Sequence, residues 1–193
     1  MQQKRLDRIT SVVQNRRNDI VVVLEDIHDP HNAAAILRTC DALGIQQVYF
    51  IFEKQQVFNP KKIGKASSSS ANKWLDFTVY KSTRECIEML HAKGYTIIAT
   101  ALTPNALSIT EEKFSDKKIA LMVGNEHAGL SDIAISLADR VVMLPMKGFV
   151  QSLNVSVSAA VFLWDIVTKR KPASLPAKEQ KVLLEDFIQR GTK

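Results

Sequence analysis

The chain has 193 residues, 46% of them hydrophobic and 24% charged, a balance that suits one folded domain with a sizeable core and excludes a disordered chain. Its formal net charge of +6 points to a polyanionic partner, nucleic acid first, although many basic proteins bind none. The two cysteines, Cys40 and Cys86, lie in no CxxC pair, so neither a disulfide framework nor a zinc knuckle is implied. The N-terminus, MQQKRLDRITSVVQNRR, is too polar for a signal peptide. No apolar run approaches the ~18–20 residues of a membrane span, so a cytoplasmic protein with no membrane partner is expected.

In chain order, Leu6–Val13 predicts a short amphipathic helix with Leu6, Ile9, Val12 and Val13 on one face. Ile20–Glu25 predicts a buried strand, followed by a helix over Asn32–Leu43 that Gly44 stops. Gln47–Phe52 and Trp74–Tyr80 are the next strands. Ser82 reads as the N-cap of a helix running to Lys93, with Glu85 as its capping-box partner. Thr96–Leu102, Lys118–Gly124 and Arg140–Pro145 complete the strands, and Ser131 is placed to cap a short helix between the last two. A Val- and Ala-rich helix opens at Ser152–Asn154 and carries Phe162 and Trp164. A basic, proline-containing linker then leads to a final amphipathic helix with Val182, Leu183, Phe187 and Ile188 on its apolar side. Continuous apolar strands alternating with helices indicate a mainly parallel sheet covered on both faces, an α/β doubly wound fold. Both terminal helices would dock on the core or on a second subunit.

Three segments stand out chemically. In the first, DIHDPHNAAAILRT, Asn32 lies near a helix start and Ala33–Ala35 permit close backbone approach. Arg38 stands beside Ile36, Leu37 and Cys40, and a cation there requires a carboxylate or a ligand phosphate. On helix statistics alone the carboxylate comes first. The second, VGNEHAGLS, brackets a tight loop with Gly124 and Gly129. It suits either an ordinary βα turn or close approach to a flat ligand, and it lacks the Gly-Lys-Ser/Thr of a P-loop. The third, Leu144–Trp164, reads LPMKGFVQSLNVSVSAAVFLW; Ser152 and Asn154 are good helix caps within it. Lysines and hydroxyls in KKIGKASSSSANKW, Lys61–Trp74, suit a phosphate site or a solvated loop about equally. Lys4, Arg5, Arg8, Arg16, Arg17 and the basic run from Lys169 to Lys171 would extend a basic surface. His28, His31 and His127 have no acidic or cysteine partner at ligand spacing, so no metal is expected.

Together and in order, NAAAILRT, VGNEHAGLS and LPMKGFVQSLNVSVSAA resemble the three-part signature of the SPOUT RNA methyltransferases, and within them the tRNA guanosine-18 2′-O-methyltransferase family. The resemblance implies a deep trefoil knot over approximately 120–168. The methyltransferase domain would span 18–168, between an N-terminal helical extension, 1–17, and a basic linker with a C-terminal helix, 169–193. It implies an enzyme that uses S-adenosyl-L-methionine, held by Thr100, Ala101, Leu102, Gly124, Met143, Ser152 and Leu153. The implied catalytic set is Arg38, Asn32, Glu126, Ser152 and Asn154, with Arg38 on the RNA phosphate and ribose and Glu126 orienting it. Arginine keeps its proton in proteins, so stabilising the phosphate and the developing alkoxide is a simpler role for Arg38 than general base.

The resemblance also tips the 61–74 loop towards RNA, with Arg8, Lys62, Lys65, Ser67, Ser68 and Lys73 as contacts. It implies a homodimer whose active sites draw on both subunits, joined through an apolar face on the terminal helices or the last core helix. HDPHN and the short helical extensions favour tRNA guanosine 18; the alternatives are the tRNA wobble nucleotide and ribosomal RNA. A non-catalytic RNA-binding module fits less well, since Arg38 and Asn154 are present. A generic nucleotide-binding α/β protein would carry a glycine-rich first βα turn in place of DIHDPHN.

Overall fold

The computed structural model of the chain describes residues 2–63, 71–171 and 173–192. Its strands are β1 (Arg17–Glu25), β2 (Ile45–Ile51), β3 (Asp76–Tyr80), β4 (Thr96–Thr100), β5 (Leu107–Ser108), β6 (Ile119–Val123) and β7 (Arg140–Met143). The helices are α1 (Gln3–Gln14), α2 (Pro30–Ala42), α3 (Thr83–Ala92), α4 (Asp132–Leu137), α5 (Val155–Lys169) and α6 (Ala177–Thr192). No helix among the described residues is long and apolar enough to cross a membrane.

The strands form one sheet in the order β3-β2-β1-β6-β4-β7-β5, and every pairing is parallel. From β1 the chain steps outward through β2 and β3, then crosses back to build the other half. The direction of winding reverses beside β1, which opens a crevice at the C-terminal ends of the central strands. Alternation along β1 divides the core into two layers. Ile20, Val22 and Leu24 pack with Ile36, Leu37 and Cys40 of α2 and with Phe162, Leu163 and Ile166 of α5. Val21 and Val23 face the opposite layer, with Ile87 and Leu90 of α3 and Ala134 of α4. Cys40 and Cys86 are free thiols, one in each layer. Burial pushes both up to about 12, which leaves them inert near neutral pH.

Several boundaries differ from the sequence expectation, each for a physical reason. β1 starts at Arg17 because its polar beginning is internally neutralised: Arg17 Nε and Nη2 each lie 2.7 Å from Asp19. α2 starts at Pro30 rather than Asn32. Asp29 caps it by accepting from the His31 N–H at 2.8 Å, and proline at the first helical position lacks only an N–H that would be unpaired there. β4 and β7 stop at Thr100 and Met143, short of Leu102 and Pro145. Leu102 and Leu144 line a cavity instead of extending the ladder. The two-residue β5 is too short to show periodicity. Only half of the capping box forms: Ser82 accepts from the Glu85 N–H, but no bond runs from the Ser82 N–H to the Glu85 carboxylate among the described residues; the neighbouring Thr83 N–H is held by Glu53 at 2.9 Å.

The terminal helices dock on each other. Ile9 and Val13 of α1 share a small apolar cluster with Leu183 and Phe187 of α6. They sit near the N-terminal ends of the strands, where the Leu175 N–H bonds the Arg16 carbonyl and Arg190 bonds Asp76. This placement corrects the expected basic surface. Arg16 is fully buried, 2.5 Å from Asp41 and over the Phe187 ring. Arg17 is buried against Asp19, and Arg170 reaches the same carboxylate at 2.8 Å. Lys169 donates to the carbonyls of Ile109 and Glu112. These cations join α5 and the chain ends to the sheet and are not free for a polyanion.

Asp19 thus stands between two buried guanidinium groups. Burial works against its ionisation, but the bonds from Arg17 and Arg170 outweigh that and hold its carboxyl below the ordinary 3.8. Asp19→Ala leaves both cations buried without their shared partner. We expect a loss of about 3–5 kcal/mol in urea unfolding at neutral pH; a loss under ~1 kcal/mol would show that the cluster contributes little.

Candidate active site

A cavity of about 390 Å³ opens at the C-terminal ends of β4, β6 and β7. The strand ends supply its floor at Thr100, Val123 and Met143. Loop 124–130 forms one wall, and the turn before α5, with Phe162 behind it, forms the other. The structure brings Thr100, Ala101, Leu102, Gly124, Met143, Ser152 and Leu153 around this single space. Sequence reasoning missed Met146 and Phe162, which add to its apolar lining. A single methionine in a turn and a phenylalanine on a core helix carry no local signal of a pocket.

The wall loop owes its shape to Asn125. Its backbone exchanges two hydrogen bonds with Gly129, at 3.0 and 2.9 Å. Its side-chain oxygen accepts from the His127 and Ala128 N–H groups, and its amide donates to the Asp26 carbonyl at 2.7 Å. A Cβ on Gly124 would come within 2.3 Å of Gly129 and Leu130 backbone atoms, so no side chain fits there without opening the loop. Ser131 ends the loop and caps α4 by accepting from the Ala134 N–H at 3.1 Å.

On the other side of the same loop lies a second, more polar cavity of about 600 Å³. Glu126, His127, Leu153 and Val155 line both spaces. Within the second, the Glu126 carboxylate accepts from the His28 N–H at 2.8 Å, the Asp29 N–H at 3.1 Å and the Asn32 amide at 2.9 Å. Asn154 donates to the Asn32 side-chain oxygen at 3.1 Å. Its own oxygen accepts from the Ser156 N–H at 2.8 Å and hydroxyl at 2.6 Å. The result is a chain, Glu126–Asn32–Asn154–Ser156, that fixes which way each amide faces. Ser156 was missed because a serine in the first turn of a helix reads as ordinary. Asp29 and Asn154, the N-caps of α2 and α5, both border this cavity. Two helix N-termini therefore open on it, a setting that favours a negative group.

Arg38 is not part of this chain. It is exposed and makes no hydrogen bond or ion pair among the described residues, while the Glu126 carboxylate bonds His28, Asp29 and Asn32. The reason is helix geometry: six positions along α2 carry Arg38 about 9 Å from Asn32 and about 120° around the axis. Ser152 lines the first cavity but not the second. Of the residues expected to meet RNA, Arg8 and Lys62 are exposed, and the Lys73 ammonium lies over the Trp74 ring at 5.5 Å. Lys65, Ser67 and Ser68 lie outside the described residues.

Arg8 also borders a cavity of about 720 Å³ at the opposite end of the sheet. That space is larger than either of the others. Its buried cations, Arg16 and Arg17, are already paired with Asp41 and Asp19, so the smaller cavities are the better candidates for a site. His28 and His127 face each other with ring centroids 6.1 Å apart. Among the described residues no group of three or more His, Cys, Asp or Glu side chains is arranged to hold a metal.

Burial opposes ionisation of Glu126, but the hydrogen bonds from Asn32 and from the backbone N–H groups of His28, Glu126 and Asp29 outweigh it. They hold the carboxyl below its ordinary 4.5. A lowered folded-state pKa stabilises the fold above the unfolded value, and that contribution disappears as pH falls through the folded value. Melting temperature followed from pH 7 downwards should therefore fall more steeply below about 4.5 for the native chain than for Glu126→Gln. Parallel curves would show that the carboxylate bonds do not tie the loop to α2.

Residues 19–164 match the SpoU rRNA methylase family model. Over 187 residues the chain is 38% identical to a tRNA (guanosine(18)-2′-O)-methyltransferase of Thermus thermophilus, covering 92% of this chain and 93% of that one. The solved Aquifex aeolicus TrmH/SpoU tRNA modifying enzyme matches with a TM-score of 0.88 at 28% identity, across 99% of this chain and 98% of that one. The SpoU methyltransferase AviRb of Streptomyces viridochromogenes, solved in complex with AdoMet, matches with a TM-score of 0.70 at 26% identity, across 82% of this chain and 60% of that one. A strand-end cavity with a glycine-gated wall, backed by an asparagine–glutamate chain, thus occurs here in a methyltransferase framework, and the chain belongs to the SpoU rRNA methylase family.

Proposed function

We propose that this protein transfers the methyl group of S-adenosyl-L-methionine to the ribose 2′-hydroxyl of guanosine 18 in tRNA. The observation that carries this reading is the shared wall. One loop separates an apolar cavity, sized for a nucleoside-like cofactor, from a polar cavity flanked by two helix N-termini. Thr100, Ala101, Leu102, Gly124, Met143, Ser152 and Leu153 would hold the cofactor in the first. When bound, it supplies a methyl group on a sulfonium leaving group.

The protein then has to align the hydroxyl and assist loss of its proton. Alignment can be worth an effective molarity of ~10⁵–10⁸ M. Asn32, locked between Glu126 and Asn154, and Ser152 on the cofactor side would order the ribose. With its carboxyl held below the ordinary range, Glu126 serves as an orienting acceptor rather than as the base. Arg38 grips the neighbouring phosphate and stabilises the developing alkoxide. Its exposure suits a cation waiting for a polyanion. Arg8, Lys62 and Lys73, with Lys65, Ser67 and Ser68, would meet the RNA.

The working form in this reading is a homodimer whose active sites draw on both subunits. Its support is an exposed apolar stripe on α5, where Val157, Val161 and Trp164 are 48%, 42% and 63% exposed at helical spacing. The proposed catalytic unit spans 18–168, with α5 threaded through a trefoil knot over approximately 120–168, and the segments 1–17 and 169–193 as helical additions. A cytoplasmic location would fit a tRNA substrate.

The test is transfer of labelled methyl from S-adenosyl-L-methionine to unmodified tRNA, with the modified nucleotide mapped. The expected product is 2′-O-methylguanosine at position 18. Methylation at the wobble nucleotide, or of ribosomal RNA alone, would move the substrate and keep the mechanism; no transfer to any RNA would remove the activity. In the same assay, Arg38→Ala should lower kcat at least ~100-fold and leave cofactor affinity within about twofold, since Arg38 lines neither cavity. Near-normal turnover would exclude Arg38 from the catalytic set.

A further inference from the structure

Glu25, the last residue of β1, is 2% exposed and lines neither the cofactor cavity nor its polar neighbour. Its carboxylate nevertheless makes three short contacts. It accepts from the Ser131 N–H at 2.8 Å, from the Ser131 hydroxyl at 2.8 Å and from the Thr83 hydroxyl at 2.5 Å. No lysine, arginine or histidine pairs with it among the described residues. Ionised glutamate is an acceptor-only group with two oxygens, which suits three converging donors; a neutral amide would turn an N–H₂ towards one of them.

The donors explain why this matters. Ser131 terminates the loop that separates the two cavities, and Thr83 begins α3. The next residue along, Asp26, takes the left-handed conformation at φ 49°. Its carbonyl accepts from Asn125, at the other end of the loop, while its carboxylate accepts the N–H groups of Glu53, Lys54 and Gln55. Both ends of the loop therefore hang from two consecutive residues at the end of one strand. Between those anchors lie Glu126 and His127, which face both cavities.

We propose that Glu25 is a positioning residue: through Ser131 it holds the 124–131 loop in the form that closes the cofactor cavity, and so it sets cofactor affinity. The proposal rests on the cofactor reading above. If the competent loop form is only a fraction of the population, apparent affinity falls by that fraction. Loss of one anchor should then weaken cofactor binding more than tRNA binding, because the exposed cations Arg8, Arg38 and Lys62 lie outside the loop.

Two variants test this by calorimetry with S-adenosyl-L-methionine in the absence of RNA, alongside tRNA binding and melting temperature. Glu25→Gln keeps the size of the side chain but mismatches one donor; its cofactor Kd should rise about tenfold, with tRNA Kd within about twofold. Thr83→Val removes one donor at a position fully buried and outside both cavities. It should raise the cofactor Kd about threefold and decides the matter if Glu25→Gln does not fold. In steady state the cofactor KM should rise while the tRNA KM holds. A lowered melting temperature with the cofactor Kd within twofold would show Glu25 to be merely structural and overturn the proposal, as would equal losses for cofactor and tRNA. Cofactor binding by the native chain without methylation of any RNA would remove the substrate reading and leave this proposal to the two variants. No cofactor binding by the native chain would sink both.

Discussion

The C-terminal end of β1 is the fixed point from which the site hangs. β1 is paired on both edges, with β2 and β6, and from Ile20 to Glu25 every residue is buried. Such a strand cannot shift without breaking two ladders and both core layers. Within the loop that divides the cavities, Asn125 makes the Gly129 bridge and accepts from the His127 and Ala128 N–H groups, and ordering the loop's residues costs about 1–2 kcal/mol each in backbone entropy. Its placement against the sheet is set at both ends through Glu25 and Asp26. From there hydrogen bonds run by way of Glu126 to Asn32 at the start of α2, and on to Asn154 at the start of α5.

This arrangement separates two solvation problems. The strand ends with Met146 and Phe162 give one cavity a largely apolar lining, which suits the flat, partly apolar cofactor of the proposed function. Two amides and two helix N-termini give the other cavity oriented dipoles across one loop, which suit the acceptor hydroxyl and phosphate of the proposed function. Two environments so different lie side by side because the winding of the sheet reverses beside β1, so the loops following β1 and β6 diverge there.

The charge of the chain divides the same way. Arg16, Arg17 and Arg170 neutralise Asp41 and Asp19 within the fold, and Arg190 pins α6 to β3 through Asp76. Arg8, Arg38 and Lys62 stay exposed. A net charge of +6 is thus a sum over cations with two different duties, and only the exposed ones can steer a polyanion.

The sequence by itself determined the parallel α/β architecture, because six apolar runs alternating with helical periodicity leave no other economical way to bury both faces of a sheet. It also singled out three separated segments where glycines, asparagines and a glutamate cluster. Tertiary structure alone decided which of those residues meet. Asn32, Glu126 and Asn154 are distant in sequence and touch only because β1 and β6 are neighbours and α2 lies against α5. Arg38, in the same segment as Asn32, stays outside the chain because a helix turns it away. The fate of the other arginines was equally invisible. A guanidinium beside hydrophobic residues reads the same whether it faces water or a carboxylate, and only the packing of α1, α5 and α6 around the strand starts separates the buried cations from the exposed ones.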